Sequence, residues 1–226
     1  MDSNKRIAKI VGILFITATV TSSLSIWITE PILESTNLLE AFSDKSSQIA
    51  GAAILMLIDA ISVAFIAILL FPILKKKSES LALGYVGMRI MEGILFAAYV
   101  AVLLSVLFIS KEYSVNNVQD ASNFKPIGQS LLILAEWTFD IGLGIVFTIS
   151  AMILNYLLFR FGLVPRWLSA WGFLGAVVTM TIVLLKFYDI QVTEALDFII
   201  GIQEMVFAIW LIIKGLKYES IAPNQK

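Results

Sequence analysis

The chain has 226 residues, 59% of them hydrophobic and 15% charged, with a mean hydropathy of +0.91 and a formal net charge of −1. Soluble globular domains run nearer to about 45–50% apolar and about 25% charged, so both departures point to an integral membrane protein. Nucleic-acid binding finds no support in this charge balance. Cys and His are both absent, which excludes disulfides, Ser-His-Asp and Cys-His catalysis, and the usual zinc sites.

The N-terminal stretch "MDSNKRIAKIVGILFITATVTSSLSIWI" carries Lys5, Arg6 and Lys9 ahead of its apolar part. That part is roughly 20 residues, longer than the about 7–15 of a signal h-region, and no A-x-A-like site follows. It reads as a retained first helix. A spanning helix needs about 20 mostly apolar residues. In chain order, six segments meet this condition, at about 7–28, 49–74, 84–110, 131–159, 166–187 and 195–213. The connectors between them are polar, short, or rich in Pro and Asn, as turns are, and none is long enough for a separate soluble domain. The predicted fold is all-α, one polytopic six-helix membrane bundle covering residues 1–226.

Lys and Arg set the expected orientation. With the N-terminus in the cytoplasm, eleven of them fall inside (Lys5, Arg6, Lys9, Lys75, Lys76, Lys77, Arg160, Arg166, Lys214, Lys217, Lys226) and four outside (Lys45, Lys111, Lys125, Lys186). Six spans then place both termini in the cytoplasm, and the expected location is the cytoplasmic membrane. The fourth segment is too long for a simple crossing. From Ile127 to Arg160 a straight helix would measure about 50 Å, against a hydrocarbon core of about 30 Å. Its outer part, "GQSLLILAEWTFD", is expected to project, tilt, or break near Gly142 and Gly144.

Four ionisable residues fall inside the spans. Asp59 is mid-span in the second segment, Arg89 and Glu92 lie about 8 and 12 Å into the third, and Glu204 is near the middle of the sixth. A charge at helix centre costs roughly 2.5–3.5 kcal/mol on insertion scales, so such groups turn inward, pair, or line a wet cavity. Arg89 and Glu92, three apart, share a helical face. One arginine cannot neutralise three carboxylates, so the surplus must be protonated or hold a cation. Arg89 could instead reach the inner headgroups, and its pair with Glu92 could be a simple interhelical staple. Carboxylate side chains are too short for the first escape.

In the fourth segment, Glu136, Asp140, Gly144, Thr148, Ala151 and Asn155 recur at steps of three or four and form one polar-to-small stripe. It serves either close helix packing or a polar path from the outer surface, through Glu136, Asp140, Thr148 and Asn155, towards the deep carboxylates. "MEGILFAAYV" and "QEMVFAIWLI" both place a Glu shortly before Phe-Ala. An inverted repeat would do this, but the match is short and apolar enough to arise by chance. No GxGD, DxxD, GxSxG, P-loop or GxGxxG occurs.

Three blocks, "LMLIDAISVAFIAILLFPILKKKSESLALGYVGMRIMEG", "GLVPRWLSAWGFLGA" and "IQEMVFAIWLIIKGL", resemble in order and over nearly the whole chain the domain-of-unknown-function 4386 family of bacterial membrane proteins. The resemblance includes Asp59, Arg89, Glu92, Pro165, Arg166, Trp167, Glu204 and Lys214 and implies fold and location without assigning any residue a role. Three functional readings follow from the residues. The bundle encloses a polar site, lined by Asp59, Arg89, Glu92 and Glu204, for a small cation, proton or polar ligand. Alternatively, the carboxylates act as acid and base, with or without a divalent metal, on a lipid. In the third reading the charges only fix helix register in an interaction or stability factor. None of the three nominates a catalytic residue, and the first needs no cofactor and no metal. Beyond a small cation or polar ligand, the expected partner is the lipid bilayer.

Overall fold

The computed structural model describes residues 3–115, 121–190 and 198–217. Among these every regular element is helical: α1 (Ser3–Leu33), α2 (Leu38–Asp44), α3 (Ser46–Leu74), α4 (Glu79–Val115), α5 (Ala121–Asp140), a π-helical segment (Ile141–Phe147), α6 (Thr148–Arg160), α7 (Arg166–Lys186) and α8 (Phe198–Ile213). With α5, the π segment and α6 continuous as one rod, five helices are long and apolar enough to cross a membrane. The sixth, α8, is apolar but has 16 residues. The expected start of the last span, residues 195–197, lies outside the described residues.

Local chemistry places the ends. Gly162 adopts φ +60 immediately after α6. There Leu163 N–H donates to the Leu158 carbonyl (3.0 Å) and Gly162 N–H to that of Phe159 (3.3 Å), the glycine-terminated closure that satisfies the last carbonyls of a helix. Pro165 follows in extended conformation (ψ 134) and starts α7, since proline fixes φ but cannot continue the preceding helix. "RFGLVPRW" is therefore a tight reversal.

The helices close a ring. α1 packs on α3 and α8, α3 on α4, α4 on the α5–π–α6 rod, the rod on α7, and α7 on α8. α4 and α8 consequently lie across the ring from one another. Two glycines permit close approaches of one helix to a backbone carbonyl of the next. A Cβ on Gly93 would sit 2.7 Å from the Ala60 carbonyl oxygen, and one on Gly12 would sit 2.6 Å from that of Ala208. Helices without side chains at their contact can bring backbones together, which is how packing is gained where lipid supplies no hydrophobic drive.

The N-terminal end of α1, the α3–α4 turn, the α6–α7 turn and the C-terminal end of α8 gather at one end of the bundle. Lys217 N–H donates to the Leu163 carbonyl (2.8 Å), the Gly215 backbone lies against Ala8 and Lys5, and the Lys77 ammonium sits 5.6 Å from the Phe161 ring. At the other end, α2, which the sequence reading treated as connector, buries Leu39 and Phe42 among Ile32, Ile49, Leu103 and Leu107.

The long fourth helix does not break at its glycines; it widens. Residues 141–147 take the π form, where Gly142 lies against Leu95 and Phe96 of α4 and Gly144 against Val183 of α7. Such π turns are rare, and they concentrate at functional sites. Asp140 meets Lys186, the last residue of α7. The about 30 Å of α5 therefore extends beyond α7 and packs on α4 instead.

Candidate functional site

Arg89 projects from α4 into the ring and is 2% exposed, among the largest fully buried side chains of the molecule. The i,i+3 spacing lets it reach Glu92 on its own helix: Nη1 donates to Oε1 (3.1 Å) and Oε2 (3.2 Å). Its Nη2 crosses to α8 and donates to Glu204 Oε1 (3.3 Å). A planar guanidinium can engage two carboxylates in different directions, which a lysine ammonium on a flexible stem would do less selectively. Glu92 is as buried as Arg89, whereas the Glu204 side chain keeps 16% of its surface exposed.

Aromatic rings complete the enclosure. The guanidinium carbon lies 5.1 Å from the Phe147 ring centroid, 5.6 Å from Phe15 and 5.7 Å from Tyr85, within the range where a ring face attracts a cation. Tyr85 is four residues before Arg89, so its place on the same face could be read from spacing. Phe15 on α1 and Phe147 in the π segment carried no such signal. Phe147 is the last residue of the π segment.

Asp59, on α3 and 3% exposed, is level with Glu92 because α3 and α4 touch at Ala60 and Gly93. It lies within electrostatic range of Arg89, Glu92 and Glu204. It is absent from Arg89's hydrogen-bond set, which goes to the two glutamates. The four residues singled out from the sequence thus converge on one region, with one cation among three acids. Among the described residues no group of three or more acidic side chains is spaced to hold a metal ion together.

The residues of the polar stripe separate. Glu136 is exposed. Asp140 accepts from Lys186 Nζ at 3.4 Å. Thr148 is fully buried, but its hydroxyl donates back to the Gly144 (2.6 Å) and Ile145 (3.0 Å) carbonyls of its own rod. Only Asn155 reaches the central region. Its Nδ2 donates to the Ala151 carbonyl at 2.9 Å, and the side chain lies against Gly172 of α7.

A small cavity adjoins this cluster, lined by Arg89, Asn155, Gln203 and Glu204 with Phe15 and Phe207 among its apolar walls. Its free space is that of about one water molecule. Gln203, a lining residue the sequence reading did not single out, is anchored by Nε2 to the Leu168 carbonyl of α7 (3.1 Å).

Long apolar helices around a buried charge cluster define the class: an all-helical, multi-pass membrane protein. Over residues 10–215 the chain matches the family model described as Domain of unknown function (DUF4386), and it belongs to that family. Neither a curated protein nor a solved structure matches it.

Proposed function

We propose that this protein crosses a bacterial cytoplasmic membrane six times with both ends in the cytoplasm, and that its bundle takes up and releases a proton at the Asp59–Arg89–Glu92–Glu204 cluster. The orientation is supported by the basic residues of two helix ends and two turns meeting at one end of the bundle, as cytoplasmic ends do. The observation that carries the proton reading is the imbalance at the site. The terminal nitrogens of Arg89 hydrogen-bond to Glu92 and Glu204, and Asp59 is left buried beside them outside those bonds. One guanidinium offsets one of the three carboxylates, and protons on the other two remove their charge with no further room needed. The same imbalance would serve a small monovalent cation, the second occupant compatible with the charge.

Turnover of a lipid fits less well, because the cavity beside Arg89 has the size of a water molecule and no headgroup enters it. A purely register-fixing role has one observation in its favour, the bridging of α4 to α8 through Arg89. It gives Asp59 nothing to do.

The test is an infrared pH titration of the protein in nanodiscs, reading the carbonyl stretch of protonated carboxyl groups. Asp59→Asn and Glu204→Gln should both stay folded, and each should remove part of the titrating band. If both variants titrate as the parent protein does, the proton reading fails.

A further inference from the structure

We infer that the cavity between α1, α4, α6 and α8 is a binding site for a single water molecule, held between the Arg89 side chain and Asn155. Two buried polar atoms of its lining residues have no hydrogen-bond partner: Arg89 Nε, a donor, and Asn155 Oδ1, an acceptor. Both side chains are more than nine-tenths buried, at 2% and 5% exposure. Leaving either atom unpaired costs about 1–3 kcal/mol, so orphan atoms on two side chains that line one cavity call for an occupant.

The occupant's chemistry follows from the two atoms. It must accept one hydrogen bond and donate another, and it must fit a space of about one water. A metal cation would face the Arg89 guanidinium and leave Nε without an acceptor. An anion would leave Asn155 Oδ1 without a donor and would sit beside Glu204, which already occupies Nη2. An apolar guest would satisfy neither atom. Water satisfies both and keeps one hydrogen for Glu204, a third polar residue on the cavity wall, which brings it to the two to four partners typical of buried waters.

The water would give Glu204 a hydrogen-bonded link to Asn155 on the far side of the cavity. That link as a route for the exchanging proton rests on the function proposed above. The water site itself rests only on the cavity and the two orphan atoms.

The test is a lipid-phase crystal structure of the full chain at a resolution that shows ordered water, for the parent protein, Asn155→Leu and Ala151→Val. In the parent, a density peak is expected at hydrogen-bonding distance, about 2.7–3.2 Å, from both Arg89 Nε and Asn155 Oδ1. Asn155→Leu removes the acceptor and Ala151→Val fills the space without touching a polar atom, so each should abolish the peak. An empty cavity in the parent, or a peak that persists in both variants, overturns the site. The infrared titration of Asp59 is independent of this map. A water without a titrating Asp59 defeats the proton reading alone, and a titrating Asp59 beside an empty cavity defeats the water alone.

Discussion

Replacing Arg89 with methionine should be the most damaging single change in the molecule, and its size can be bounded. The substitution keeps most of the side-chain volume but deletes the only cation of the cluster and three hydrogen bonds. Hydrogen bonds between membrane helices average about 0.6 kcal/mol, so three of them amount to about 2 kcal/mol. Breaking a buried ion pair from one side costs more, about 3–5 kcal/mol, because the abandoned charge stays behind. The larger figure should govern here, since Glu92 is 2% exposed and has no solvent to turn to. Reversible unfolding in mixed micelles should therefore show the unfolding constant rising by more than about a hundredfold, at 1.4 kcal/mol per decade. Removing the charges together should undo most of this, because an apolar replacement of a whole buried ionic group is often neutral or better. The variant Arg89→Met with Glu92→Met and Glu204→Leu should unfold close to the parent protein. A loss below about 1 kcal/mol for Arg89→Met, or a triple variant as weak as the single one, would refute the view that Arg89 supplies the counter-charge of the Glu92–Glu204 pair.

Three further outcomes are expected. Gly93→Ala should cost about 1–3 kcal/mol in the same assay, because its Cβ would press on the rigid Ala60 carbonyl. Gly87→Ala, with nothing within 4 Å of the added carbon, should be neutral or up to about 1 kcal/mol stabilising; equal effects at the two positions would deny the close α3–α4 contact. Lys186→Met should cost under about 1 kcal/mol, as a long, half-exposed pair contributes little, and a larger loss would couple Asp140 to the core. The absence of cysteine leaves no background for topology mapping. In intact cells an impermeant thiol reagent should label Ser47→Cys and spare Ser80→Cys, and the reverse pattern would invert the proposed orientation.

Much of the architecture could be read from periodicity and length. The first, second, third and fifth apolar segments became α1, α3, α4 and α7; α1 and α4 run past both expected ends and α3 past its first, while α7 keeps to its expected bounds. Helix ends were legible where glycine and proline act locally, as in "RFGLVPRW". The fourth segment was recognised as too long, but its π turn was not; its glycines lie against Phe96, Leu95 and Val183 on other helices, contacts that a single segment does not reveal. The polar stripe from Glu136 to Asn155 was drawn on an ideal 3.6-residue helix. A π turn adds residues to the turn and rotates everything before it, and the outer and inner halves of the stripe now sit in different surroundings.

Composition and pattern alone determined that this is a membrane-type helical protein, that Cys and His chemistry is closed to it, and that Arg89 and Glu92 share a face. These are consequences of apolar length and of helical spacing within one segment. Only the tertiary structure decided which acid Arg89 takes as its second partner. α4 and α8 are set across the ring by the order of helix packing, so the guanidinium reaches Glu204. Asp59, just as deep, stands beside the cluster outside Arg89's hydrogen bonds. Partners on different helices depend on the rotation and depth of each helix, and those are set by close contacts such as Gly93 on Ala60 and Gly12 on Ala208, which no single segment encodes.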